Sequence, residues 1–177
     1  MSSTLEMQLI GYVRTHRDDG ILLDTNVLLL LLIAHFDPAR IGGKRLEKYT
    51  LEDAQLLCAF VGKFKRILTT SHILAETSNL AAQALTGTVK NEFFNRLFPL
   101  FSSEQPDALH QCPIFIGNFD RAIFVRLGLT DAGIVAAVDV EAKRLLLTDD
   151  LNLHAAAIGK GAPSINFTHM REAEGLL

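Results

Sequence analysis

Short apolar runs alternate with longer stretches of helical character along this chain, and that alternation restricts the fold more than any other feature of the sequence. The runs at 21–23, 67–70, 113–116, 145–148 and 164–167 are mostly apolar throughout, as expected for strands covered on both faces of a parallel sheet. Helices are expected over 4–15, 26–36, 51–62, 72–85, 89–101, 120–127, 131–142 and 151–158. Strands joined through helices make right-handed crossovers, so the sequence predicts an α/β fold, a three-layer α/β/α sandwich with a five-stranded, mostly parallel central sheet. Ligands of such folds sit beyond the carboxyl ends of the strands.

The length of 177 residues suffices to close one hydrophobic core, and no repeat or linker divides it, so a single domain over 1–177 is expected. With 49% apolar and 21% charged residues, 12 Gly and 5 Pro, the composition excludes disordered and collagen-like classes. The longest apolar run, 27–34, is far shorter than the roughly 20 residues that cross a bilayer, so it reads as a buried helix. Glu6 and its polar neighbours leave no secretory core near the start. Cys58 and Cys112 are far apart and outside any CxxC pattern, which predicts reduced thiols, a cytoplasmic location and a chance sequon at Asn166.

Residues 37–49 carry the strongest loop chemistry, through Asp37-Pro38 and Gly42-Gly43, and read as an exposed excursion. Gly42-Gly43-Lys44 is no phosphate-binding loop, because Arg45 stands where Ser or Thr is needed. GxSxG, HExxH and GxGxxG motifs are absent, and the six histidines show no ligand pairing.

The net charge of −3 argues against binding nucleic acid through overall basicity, though not against an enzyme whose acids are gathered in one place. Four positions put acids against apolar surface. Asp24 follows the first strand and precedes Thr25-Asn26, where it serves equally as a helix cap. Glu76 shares a helix face with Ile73 and Leu80, so it needs a cation, a hydrogen-bond network or an outlet to solvent. Asp131 follows Thr130, which reads as a cap, and lies in a first helical turn that favours negative charge in any case. Asp149 and Asp150 close an apolar strand side by side; they repel each other, and one of them also suits the cap of the next helix. If these carboxylates meet at one sheet edge, hard cations are expected to neutralise them, and oxygen ligands alone favour Mg²⁺ or Mn²⁺.

Taken in order, Asp24-Thr25-Asn26-Val27, the mid-helix Glu76, Leu129-Thr130-Asp131-Ala132 and Leu147-Thr148-Asp149-Asp150 resemble the PIN-domain nucleases, among them the toxin ribonucleases of bacterial toxin–antitoxin pairs. The resemblance runs from about Ile21 to Phe167. It implies one or two Mg²⁺ or Mn²⁺ ions in an acidic pocket and endonucleolytic cleavage of RNA. Carried over by position, Asp24, Glu76, Asp131 and Asp150 form the catalytic, metal-holding quartet, with Asn26 supporting the first and Thr148 beside the last. Asn152 stands where the family often has a further acid, which leaves Asp149 to share or take over that duty. Residues 37–66 form an insertion longer than in compact toxins, and Lys44 and Arg45 within it are expected to meet RNA. An antitoxin partner and a homodimer go with the family, and no membrane does. The rival expectations are a catalytically silent PIN-like module that binds RNA or protein and, last, an aspartyl-phosphate phosphohydrolase, which would want an acid where Asn26 stands.

Overall fold

The computed structural model describes residues 2–101, 108–138 and 144–175. Its centre is a sheet of five parallel strands, β1 (Ile21–Leu23), β2 (Ile67–Thr69), β3 (Leu109–Gln111), β4 (Leu145–Thr148) and β5 (Ser164–Asn166), in the order β3-β2-β1-β4-β5. Helices on both faces make it a three-layer α/β/α sandwich. They are α1 (Ser2–His16), α2 (Thr25–Phe36), α3 (Leu51–Val61), α4 (Ser71–Ala84), α5 (Gly87–Leu97), α6 (Arg121–Leu127), α7 (Leu129–Ala137), α8 (Leu151–Gly159) and α9 (Phe167–Ala173). Among the described residues no helix is long and apolar enough to cross a membrane.

The central strands are apolar because water reaches neither face: every residue of β1 and β4 is buried. α2 repeats that logic in helical form, burying Val27 through Ile33 against α3, α4 and α5. A helix apolar all round is a core helix. Gly20 lets the chain enter β1: its φ is +105°, and a Cβ there would lie 2.9 Å from Leu68 Cγ.

Several boundaries differ from expectation, each for a local reason. The third strand is Leu109–Gln111, not 113–116. The last ladder bond is Cys112 N–H to Thr69 O at 2.8 Å, and beyond it the partner runs out, because β2 ends at Thr69 and Thr70 already caps α4. The fifth strand stops at Asn166, whose side chain accepts from the His169 N–H at 3.2 Å and starts α9, a helix the sequence reading did not anticipate. α7 begins at Leu129 with Gly128, at φ 92°, as its cap, so Thr130 lies inside the helix. The part of the expected helix 131–142 beyond Val138 lies outside the described residues. The 37–49 excursion is not wholly exposed: Leu46 and Tyr49 are 1% and 2% exposed. Cys58 and Cys112 are both free thiols.

Candidate functional site

The strand order reverses its direction of growth at β1. From β1 the chain builds outward through β2 to β3, then returns to add β4 and β5 on the other side. The crevice between the carboxyl ends of β1 and β4 is therefore the switch point at which α/β sheets bind ligands. Register fills it with acids: Leu23 pairs with Leu147, so the next residues, Asp24 and Thr148, come side by side.

Asp24 is 4% exposed. Its Oδ1 accepts from the Val27 N–H at 2.8 Å, capping α2. Capping does not account for the other oxygen. Oδ2 takes the Thr148 hydroxyl and, at 3.0 Å, the Asp149 N–H, both from the end of β4. Burial, and then the Asp149 charge, push the Asp24 carboxyl up to about 7 in spite of these donors.

Around this pair the remaining acids arrive from three helices. Glu76, in the second turn of α4, is exposed, and its Oε2 accepts from the Thr25 hydroxyl at 3.2 Å. Of the alternatives expected for this carboxylate, the structure shows an outlet to solvent and a hydrogen bond to α2. Asp131 is half-buried in the first turn of α7, and its carboxyl is raised to about 6 by burial, then by the charges of Asp150 and Glu76. Asp150 caps α8, accepting from the Asn152 and Leu153 N–H groups at 2.6 and 3.0 Å. Its own N–H donates to Thr148 Oγ1 at 2.9 Å, so Thr148 links the first acid to the last.

The predicted acids thus gather beyond the carboxyl ends of the strands in two neighbouring sets: Asp24 feels the charge of Asp149, and Asp131 those of Asp150 and Glu76. They do not form one coordination shell: among the described residues no three His, Cys, Asp or Glu side chains are grouped to hold an ion. Asn26 is half-buried in the first turn of α2, while the hydrogen bonds to Asp24 come from Val27, Thr148 and Asp149.

Asp149 has a setting the sequence did not disclose. Its side chain is 2% exposed, and its Oδ2 takes both the Lys48 ammonium and the Tyr49 hydroxyl. Burial and the Asp149 charge drive the Tyr49 phenol far upward, so it stays a protonated donor. The two residues arrive from the 37–50 loop, held from behind by Arg171 of α9. Arg171 Nη2 donates to Lys48 O at 2.9 Å, and the guanidinium lies 5.5 Å from the centre of the Tyr49 ring. Arg171 is in turn paired at 2.7 Å with Asp53, which is fully buried and also closes a capping box with Thr50.

Sequence reasoning missed Tyr49, Asp53 and Arg171. The Thr50-x-x-Asp53 spacing is a signal for the capping box, and hence for a fixed turn before it. Nothing in the sequence announces the Arg171 pairing across 118 positions.

Lys44 and Arg45 lie elsewhere. Both are exposed; Arg45 donates to Gln83 near the end of α4, and Lys44 lines a groove with Ile33, Ala84 and Leu85. These are the ends of α2 and α4 remote from Asp24, about 13 Å along α2 at a rise of roughly 1.5 Å per residue. His72, one turn before Glu76, packs edge-on against Phe119 and leaves Nδ1 buried without a hydrogen-bond partner.

Comparison of the chain with protein-family models, with characterised proteins and with solved structures finds no match.

Proposed function

We propose that this chain is a PIN-like, metal-dependent endoribonuclease that hydrolyses RNA phosphodiester bonds at the β1–β4 switch point. The observation that carries the reading is the state of Asp24 and Asp131. Two carboxyls raised to about 7 and about 6 beside further acids lack positive charge at the place where an α/β sheet binds its ligand. The donors fit Mg²⁺ or Mn²⁺, since all are carboxylate oxygens and their mutual repulsion is what a hard cation relieves.

Such an ion, when bound, supplies a more acidic water and positive charge at the phosphate. Asp24 and Asp131 would hold it, with Glu76 and Asp150 completing the shell directly or through water. Thr25 steadies Glu76, and Thr148 with the Asp149 N–H fixes the Asp24 carboxylate before substrate arrives. Glu76 or Asp150, outside the pair that would grip the ion, would orient the attacking water. A toxin role, an antitoxin partner, a homodimer and a cytoplasmic location accompany the same reading.

The test is cleavage of a single-stranded RNA with Mn²⁺ or Mg²⁺ and with EDTA, by the wild type and by Asp24→Asn. Cleavage should require the ion and fall by roughly a hundredfold or more in Asp24→Asn, as when other charge-stabilising groups are lost. Equal cleavage by both proteins rejects the reading.

A catalytically silent module that binds RNA or protein has one observation in its favour. Both Asp24 oxygens already accept hydrogen bonds, and no three described acids are grouped around a common point. RNA retention without cleavage under either ion would select it.

A further inference from the structure

We propose that Lys48 is the built-in counter-cation of the acid site, its ammonium standing on Asp149 where a second divalent ion would otherwise bind, so that the site takes one ion rather than two. The proposal rests on reading this edge as a cation site.

Asp149 is the carboxylate closest in role to Asp24: its backbone N–H binds Asp24 Oδ2 at 3.0 Å, and its charge acts on the same group. A carboxylate bridging two ions offers one oxygen to each, and a buried carboxylate without a cation is costly. Here Oδ2 is already occupied by the Lys48 ammonium and the Tyr49 hydroxyl, while Oδ1 is buried with no hydrogen-bond partner. Asp149 is thus half satisfied, with its free oxygen left for at most one cation.

An ordinary surface lysine would make a weak case, since exposed ion pairs contribute little. The Lys48 side chain is itself 55% exposed, but its partner and its backbone are held inside the fold. The Asp149 side chain is 2% exposed, and the Lys48 backbone is fastened by Arg171 Nη2 to its carbonyl at 2.9 Å. Arg171 cannot leave without breaking its 2.7 Å pair with the fully buried Asp53. The fold therefore holds the Lys48 backbone, and so the root of the side chain, beside Asp149. Removing that single charge restores a second position for a divalent ion.

Titration calorimetry with Mn²⁺ alone, on the full chain without RNA, tests this. The wild type should bind one ion and Lys48→Met two, while Lys48→Met with Asp149→Asn should return to one and Lys48→Arg should match the wild type. A merely structural role for Lys48 predicts weaker binding in Lys48→Met, the opposite sign. Two ions on the wild type, or the same number and affinity in Lys48→Met, overturn the proposal. If the wild type binds none and Lys48→Met binds one, the nuclease reading fails and the counter-cation stands; if neither binds, both fail. Thermal melts check folding, and Lys48→Gln replaces Lys48→Met if the latter does not fold.

Discussion

The Thr148 hydroxyl donates to Asp24 Oδ2 across 124 positions of sequence, joining the ends of two adjacent parallel strands by their side chains. The same oxygen of Thr148 accepts the Asp150 N–H at 2.9 Å. One hydroxyl therefore sets the Asp24 carboxylate and the start of α8 together.

Thr148→Val keeps the shape of the side chain and removes both bonds. Asp24 Oδ2 then loses a donor that favours its ionised form, so its carboxyl should titrate still higher than about 7. The Asp150 N–H loses its acceptor, and stability should fall by about 1–3 kcal/mol. Urea unfolding and carboxyl-carbon NMR read the two effects separately; an unchanged Asp24 titration would mean that the hydroxyl does not hold this carboxylate in solution.

The raised carboxyls give stability an inverted pH dependence. Asp24 and Asp131 keep their protons up to about 7 and about 6 in the folded chain, against 3.8 ordinarily. Between these limits the folded state binds more protons than the unfolded one, so stability falls as pH rises through the window. In EDTA the Tm should be higher at pH 5 than at pH 8, and Mn²⁺ should recover much of the loss at pH 8 by binding the folded state. Melts at the two pH values, with and without Mn²⁺, check this; a higher Tm at pH 8 in EDTA contradicts it.

How much of this was legible depended on the range over which each signal acts. The sheet could be read because the residues of β1 and β4 must be apolar wherever they are covered on both faces. Asp24 and Asp150 stood out because each directly follows or nearly follows a strand and precedes a helix, a local pattern. Even so, capping and site chemistry could not be separated until Asp24 Oδ2 was seen bonded to β4 rather than to its own helix. The third strand lies four residues before the expected 113–116 because its position is set by where its partner β2 begins and ends, which the apolar run at 113–116 does not reveal. Arg171, Tyr49 and Asp53 were invisible because their pairing is tertiary: polar residues in a helix turn or loop give no sign of which distant partner buries them.

Glu76→Gln tests the mutual repulsion of the acids. Glu76 is one of two charges that raise Asp131 to about 6, after burial. Removing it should lower the Asp131 carboxyl while leaving burial and Asp150 in place, and a glutamine oxygen can still accept from Thr25. Carboxyl-carbon NMR of the metal-free protein measures the shift. A downward movement supports the shared neighbourhood, and no movement places Glu76 too far away to matter.

The Asp53–Arg171 pair is the support on which the Lys48–Tyr49 turn rests, and its energetics separate support from chemistry. The two side chains are 0% and 6% exposed, so neither can recover hydration when its partner is lost. Arg171→Met should leave Asp53 buried and uncompensated and cost about 3–5 kcal/mol, whereas Asp53→Leu combined with Arg171→Met removes both charges and should recover much of that loss. The double variant still lacks the donor to Lys48 O, so it should fold while holding Lys48 and Tyr49 less firmly against Asp149. Urea unfolding of the wild type, the single variant and the double variant gives the first comparison. Amide exchange at Lys48 and Tyr49 in the folded double variant gives the second, and exchange as slow as in the wild type would mean that the turn holds itself through Thr50 and Asp149 without Arg171.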